Sequence, residues 1–322
     1  MRLFLKRFAL FMLLVGAGAA LLQALTLHAL RRDAKALQDA AWAQEAAAVT
    51  TLVIGDSHAH ESIDGRLLPG SFIYSSSGEN LLFVAAKLRW ALREQAAPAL
   101  RHVVLALGLD AFSASHALPM GDEWYYARHA DAAAVLQGSG DGSAVARFWL
   151  RGLVVPWAGR GESVFPLLDQ ARRKPSFSWH DQMEQFWDAG FPPFSAQVDR
   201  THAARQRALE HLAGMAPFDP APVAALARIR QLCVERGLTL TVLDAPVTDL
   251  YYRELAARSD PARYAQILDE ELVAHGIVPL DLHALFADRY DLFRDPDHLL
   301  AAGRREVTAR IAAALERAQV PR

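Results

Sequence analysis

The sequence predicts an α/β protein, a parallel sheet between two layers of helices, preceded by one membrane-spanning helix. Three observations predict it. An uncharged apolar run from Phe8 to Leu27 opens the chain. From Thr50 onward, short β-branched runs alternate with stretches of helical apolar spacing. The first such run ends in Gly55-Asp56-Ser57, a strand leading into a sharp turn. Open α/β sheets bind ligands at the carboxyl ends of strands.

The opening run is twenty residues long. As a helix it spans about 30 Å, the thickness of a bilayer core. Arg2, Lys6 and Arg7 precede it, and Arg31, Arg32 and Lys35 follow. A secretory signal has a shorter apolar core, so residues 1–32 are read as an uncleaved signal anchor. Basic residues balance across the run, and the terminal amine tips the N-terminus inward. The chain is then expected in the inner membrane as a single-pass protein, with its bulk periplasmic. Residues 33–49 are Ala-rich and polar and are expected to form a helical stalk.

The α/β domain is assigned to residues 50–322. Thr50 to Ile54 reads as a central strand, apolar on both faces. Ser71-Phe72-Ile73-Tyr74 is the second strand, and Asn80 to Glu94 a helix. His102 to Leu107 is the third strand. An insertion follows from about 112 to 218. It contains Trp124-Tyr125-Tyr126, a glycine-rich stretch from Gly138 to Gly142, and Phe191-Pro192-Pro193-Phe194. Insertions of this kind often cap a site. Ala144 to Trp157 is apolar; a buried helix is favoured there over a membrane or partner surface. Alternation resumes with a helix from Pro222 to Arg236, closed by Gly237, and a strand from Leu238 to Leu243. A helix opened by Asp260-Pro261 and closed by Gly276 follows. Ile277 to Leu282 is the last strand, and Pro279 marks it as an edge. The final helix is expected from Ala301 to Ala318.

Composition narrows the function. The 322 residues are 52% hydrophobic and 22% charged, enough for a substantial core. A net charge of −2 gives no reason to expect nucleic acid. Cys233 is the single cysteine, so no disulfide can form within the chain, and its apolar setting suggests a buried helix face.

The chemistry is carried by two stretches. Ser57 follows the first strand, where a hydroxyl meets the free N–H groups of a helix start. It needs a base to become a nucleophile. Asp295-Pro296-Asp297-His298 precedes the last helix and offers His298 as that base, with Asp295 to orient it. Asp297 is an alternative acid.

Gly-Asp-Ser after the first strand and Asp-x-x-His before the last helix, in that order, resemble the GDSL/SGNH hydrolase superfamily. The resemblance covers Thr50 to the C-terminus. It implies a flavodoxin-like three-layer fold and a catalytic Ser57, His298 and Asp295. It also implies an oxyanion hole from the Ser57 backbone, Gly78 and the residue at position 110. There the family's Asn is replaced by Asp110. An ionised carboxylate cannot donate a hydrogen bond, so a protonated Asp110, Asn80 or a backbone N–H must serve instead. The layout, one anchor and an extracytoplasmic domain, resembles the membrane-anchored branch of alginate O-acetyltransferase-like and D-alanyl-transfer envelope proteins. It implies a serine O-acetyltransferase or acetylesterase acting on envelope or exported polysaccharide, without a cofactor. A transferase would need a multi-span membrane partner to deliver the acyl donor. Trp124, Tyr125, Tyr126, Trp179 and Trp187 could stack on sugar faces or pack the insertion's own core.

Two rival readings remain. Asp56-x-His58-x-His60 has metal-ligand spacing, which suits a metal-dependent hydrolase. The replaced Asn instead suits a non-catalytic envelope scaffold that keeps the fold.

Overall fold

The computed structural model describes residues 1–94, 97–113, 122–139, 142–154, 178–187, 189–212 and 218–319. The protein is α/β, built on a five-stranded parallel sheet in the order β2-β1-β3-β4-β5. The strands are β1 (Thr51–Gly55), β2 (Ser71–Ser75), β3 (His102–Leu107), β4 (Thr239–Asp244) and β5 (Leu280–Asp281). β1 and β3 are buried along their whole lengths. That burial explains their unbroken apolar character, since a parallel strand is covered on both faces. The strand containing Pro279 does fall at an edge, and only two of its residues pair.

Gly55 ends β1 with φ +134°, and a Cβ there would lie 2.9 Å from the Ala106 carbonyl of β3. Only glycine lets the chain leave the sheet this tightly. Asp56 then caps α3 (Ser57–Ser62), its carboxylate accepting from the His58 N–H at 2.9 Å. This is the turn that lifts Ser57 above the sheet.

α1 (Arg2–Leu30) is long and apolar enough to cross a membrane. Its last turn belongs to the globular body, because Thr26, Ala29 and Leu30 are buried.

Residues 33–49, expected to form a helical stalk, do hold a helix, and it packs on the body. α2 (Ala34–Glu45) packs on β2. Trp42 is fully buried and stacks on Tyr74, with ring centroids 5.9 Å apart. Gln38 Nε2 donates to the carbonyls of Ile73 and Ser75 at 3.3 and 2.9 Å. β2 is an edge strand, and these carbonyls point away from β1; Gln38 covers them as a neighbouring strand would. Lys87 of α4 (Leu81–Glu94) reaches the same place and bonds Gln38 Oε1 and Glu79.

The first described helices of the insertion are α5 (Glu123–Tyr126), α6 (Ala132–Ser139), α7 (Gly142–Trp149) and α8 (Trp179–Trp187). A π-helical turn, Leu150–Val154, continues α7. Trp124, Tyr125 and Tyr126 form a satellite core with Leu30, Phe83 and Phe148, so they do not present free faces to a sugar. The expected buried helix is only half realised, with Phe148 inside but Leu150 and Leu153 more than half exposed. Residues 155–157 and the glycine-rich positions 140 and 141 lie outside the described residues.

The remaining helices are α9 (Arg200–His211), α10 (Pro220–Glu235), α11 (Asp249–Ala256), α12 (Pro261–Glu271) and α13 (Ala301–Gln319). α10 packs against α4, α9 against α11, and α13 against α3. Cys233 sits buried on α10.

Candidate active site

The chain brings Ser57 and His298 together across 241 positions of sequence. The Ser57 hydroxyl donates to His298 Nε2 at 2.9 Å. On the other side of the ring, His298 Nδ1–H donates to Asp295 Oδ2 at 2.8 Å. That bond fixes the tautomer and leaves Nε2 as the acceptor a serine needs. Asp295 also accepts from the backbone N–H groups of Asp297 and His298, at 3.2 and 2.9 Å. Arg294 Nε adds a fourth bond at 3.2 Å. All four hold the carboxylate facing the ring.

The loop that carries these residues is closed at its base. Phe293 and Leu299 form an antiparallel bridge. The Pro296 carbonyl accepts from both the N–H and the hydroxyl of Thr248, at 3.0 and 2.7 Å. Thr248 is itself the N-cap of α11. His298 is therefore tied to the sheet through β4 and to the helix that follows it.

Asp297 does not orient the imidazole directly; its nearest oxygen is 3.7 Å from His298 Nδ1. It lies fully buried beneath the ring and takes Arg207 Nε at 3.0 Å. His58 Nε2 faces it at 3.6 Å and His211 Nε2 at 3.8 Å. His58 Nδ1 in turn bonds Asp56 at 3.1 Å. Burial pushes the His58 pKa down, but Asp56 and Asp297 outweigh it and raise it to about 10. His58 is therefore a buried imidazolium between two carboxylates. Burial likewise opposes the charged form of His298, yet Asp297 and Asp295 lift its pKa above the ordinary histidine value. Asp297 is held ionised against its own burial by the charges of His298, His211 and His58.

Asp110, also buried, ends the loop after β3 with Oδ2 3.4 Å from His211 Nδ1. Together with Gly55, Asp56, Asn80 and Gly108 it surrounds a void of about 20 Å³. The Asn80 carboxamide oxygen accepts from the Phe83 N–H at 3.0 Å and so caps α4. Gly78 has a left-handed φ of +67° in the turn after β2, with open space on its Cβ side.

His58 and His60 do not converge as a metal pair would. His60 faces Ser75 at 2.9 Å and Ser77 at 3.5 Å. Among the described residues, the grouping nearest to a ligand set here is His58, Asp297 and His298.

His60 also lines a cleft of about 480 Å³ with Ser75, Ser77, Lys35, Trp179 and Phe186. It lies one helical turn after Ser57, so the cleft adjoins the helix that carries Ser57. Trp179, one of the five aromatics expected to stack on sugars or pack the insertion's core, lines this cleft from a largely buried position. Trp187 is buried as well, its indole N–H donating to the His60 carbonyl at 3.2 Å.

Arg207 and His211 were not visible as site residues in the sequence. They sit at i and i+4 on α9, on one face of the helix, and no local motif marks them. No family model and no curated protein matches the chain.

Proposed function

We propose that this protein is a serine acyl-transfer enzyme of the SGNH type, with a three-layer fold and a membrane anchor. The observation that carries the reading is the unbroken chain from the Ser57 hydroxyl through His298 to Asp295, with contacts of 2.9 and 2.8 Å. Nucleophile, base and orienter stand in the roles that covalent acyl transfer requires.

The steps follow from the geometry. Ser57 Oγ bonds to the acyl carbon of an ester while its proton passes to His298 Nε2. The imidazolium, stabilised by Asp295 and Asp297, then protonates the departing alkoxide. This leaves an acyl-serine and a free alcohol. Water or a sugar hydroxyl next attacks the acyl carbon, gives its proton to His298, and restores the Ser57 hydroxyl. The Ser57 N–H opening α3 and the Gly78 N–H are the proposed oxyanion donors. The Asn80 amide or a further backbone N–H completes the set.

The favoured substrate is an O-acetylated envelope or exported polysaccharide on the periplasmic side of the inner membrane. The cleft beside His60 supports it, since the partly buried Phe186 and the edge of Trp179 line it next to serine hydroxyls. A transferase would draw its acyl group from a multi-span membrane partner.

Labelling with a fluorophosphonate tests the nucleophile. The adduct should map to Ser57 by mass spectrometry, and Ser57→Ala and His298→Ala should each abolish it in folded protein. Labelling that survives Ser57→Ala would overturn the reading. The O-acetyl content of exported polysaccharide, measured by NMR, tests the reaction. A fall in a Ser57→Ala strain identifies a transferase and a rise an esterase. No change would favour the scaffold.

The grouping of His58, Asp297 and His298 supports a second reading as a metal site. It would require His58 to lose its proton and His298 to release Ser57. Under the serine reading, chelator leaves fluorophosphonate labelling unchanged; loss of labelling would favour the metal.

A further inference from the structure

The end of α1 and the start of the insertion share one core. Leu30, in the last turn of α1, packs in a cluster with Phe148 of α7, and the partly buried Trp149 lies against it. The π-helical turn that continues α7 therefore stands beside the point where the apolar helix enters the globular body. That turn does not hide its large side chains. Leu150 and Leu153 are 52% and 55% exposed. Leu136, on the neighbouring α6, is 47% exposed.

Their outward position is fixed by Gly152 between them. A Cβ at Gly152 would lie 2.4 Å from the Glu123 carbonyl and 2.6 Å from the Ala127 Cβ. The backbone is pressed onto α5 at this point, which turns the flanking leucines to the outside. Arg151 reaches Glu123 at 3.4 Å from the same turn. Arg31 and Arg32 follow directly on α1. Exposed leucines with arginines alongside form the composition that suits the boundary between headgroups and acyl chains.

We propose that the segment from Gly142 to Val154 is a second membrane contact, lying in the interfacial layer beside α1 with Leu150 and Leu153 in lipid. The occupant is the bilayer itself, because this face adjoins α1, among the described residues the one helix apolar enough to span it. The proposal rests on α1 being a membrane span and is independent of the chemistry at Ser57.

The test uses full-length protein in proteoliposomes of phosphatidylethanolamine and phosphatidylglycerol, some lipids carrying a nitroxide high on the acyl chain. An environment-sensitive fluorophore is placed singly at Leu150→Cys, Leu153→Cys or Leu136→Cys. Leu13→Cys marks the span, and Val278→Cys, 78% exposed at the far sheet edge, marks solvent. The native Cys233 is buried, and burial pushes its thiol up to about 12, so it does not compete for label. Quenching at Leu150 and Leu153 should exceed that at Val278 severalfold and approach that at Leu13. Quenching equal to Val278, with Leu13 strongly quenched, would overturn the contact and leave the anchor standing. Loss of quenching at Leu13 and Leu150 together would overturn both. Shielding of Leu150 and Leu153 from lipid nitroxide and aqueous iodide alike would assign the face to a protein and overturn the lipid contact.

Discussion

His58 holds a proton that an isolated histidine would have released, and this has a consequence for stability. In the unfolded chain its pKa is roughly 6.5; in the folded protein Asp56 and Asp297 hold it at about 10. The folded state binds the extra proton across that window. The stability contributed by His58 is therefore complete below the lower value and falls as pH rises toward the upper one. The melting temperature should decline on titration from neutral to alkaline pH. His58→Asn should lower it at neutral pH and flatten the alkaline decline; an unaltered slope would remove His58 as the source. His298 yields a separate expectation. It must be neutral to take the Ser57 proton, and its pKa is raised by Asp297 and Asp295. The rate of fluorophosphonate labelling should rise with pH, with a midpoint above roughly 6.5. Asp297→Asn should move that midpoint downward. A merely structural Asp297 would change the amount of folded protein and leave the midpoint in place.

At the scale of elements, α2 carries more of the fold than its composition suggests. Trp42 is fully buried, and its loss should cost about 3–5 kcal/mol. Gln38→Leu keeps the volume but strips two edge carbonyls of their partner, at about 1–3 kcal/mol for each buried group left unpaired, while Lys87 loses one bond and keeps Glu79. Denaturant titration of both variants checks this, and two neutral results would return α2 to the status of a stalk. The sequence hid this role for a physical reason. Gln38 and Trp42 are spaced i, i+4 among alanines, a stripe too narrow to register as amphipathic. The strands were legible because burial on both faces demands unbroken apolar runs, as in Val103-Val104-Leu105. The edge strand was harder to bound, since only Leu280 and Asp281 pair.

Across the whole molecule, the two motif stretches were legible because each sits at a strand end or helix start with its own local signature. The residues beneath them were not. Arg207 and His211 reach Asp297 and Asp110 only through the packing of α9 on α11, which leaves no periodic trace in sequence. Topology belongs to this scale too. Reporters fused after Leu27 should be active in the periplasm and silent in the cytoplasm; the reverse would invert the anchor. The buried last turn of α1 has a further consequence. With Thr26, Ala29 and Leu30 enclosed, only three residues separate α1 from α2. Fully extended, such a connection reaches about 10 Å. With α1 in a bilayer, the α/β body is mounted rather than leashed, and Ser57 is held at one altitude above the lipid. Under the proposed acyl-transfer function, a substrate would be met by searching a plane and not a volume.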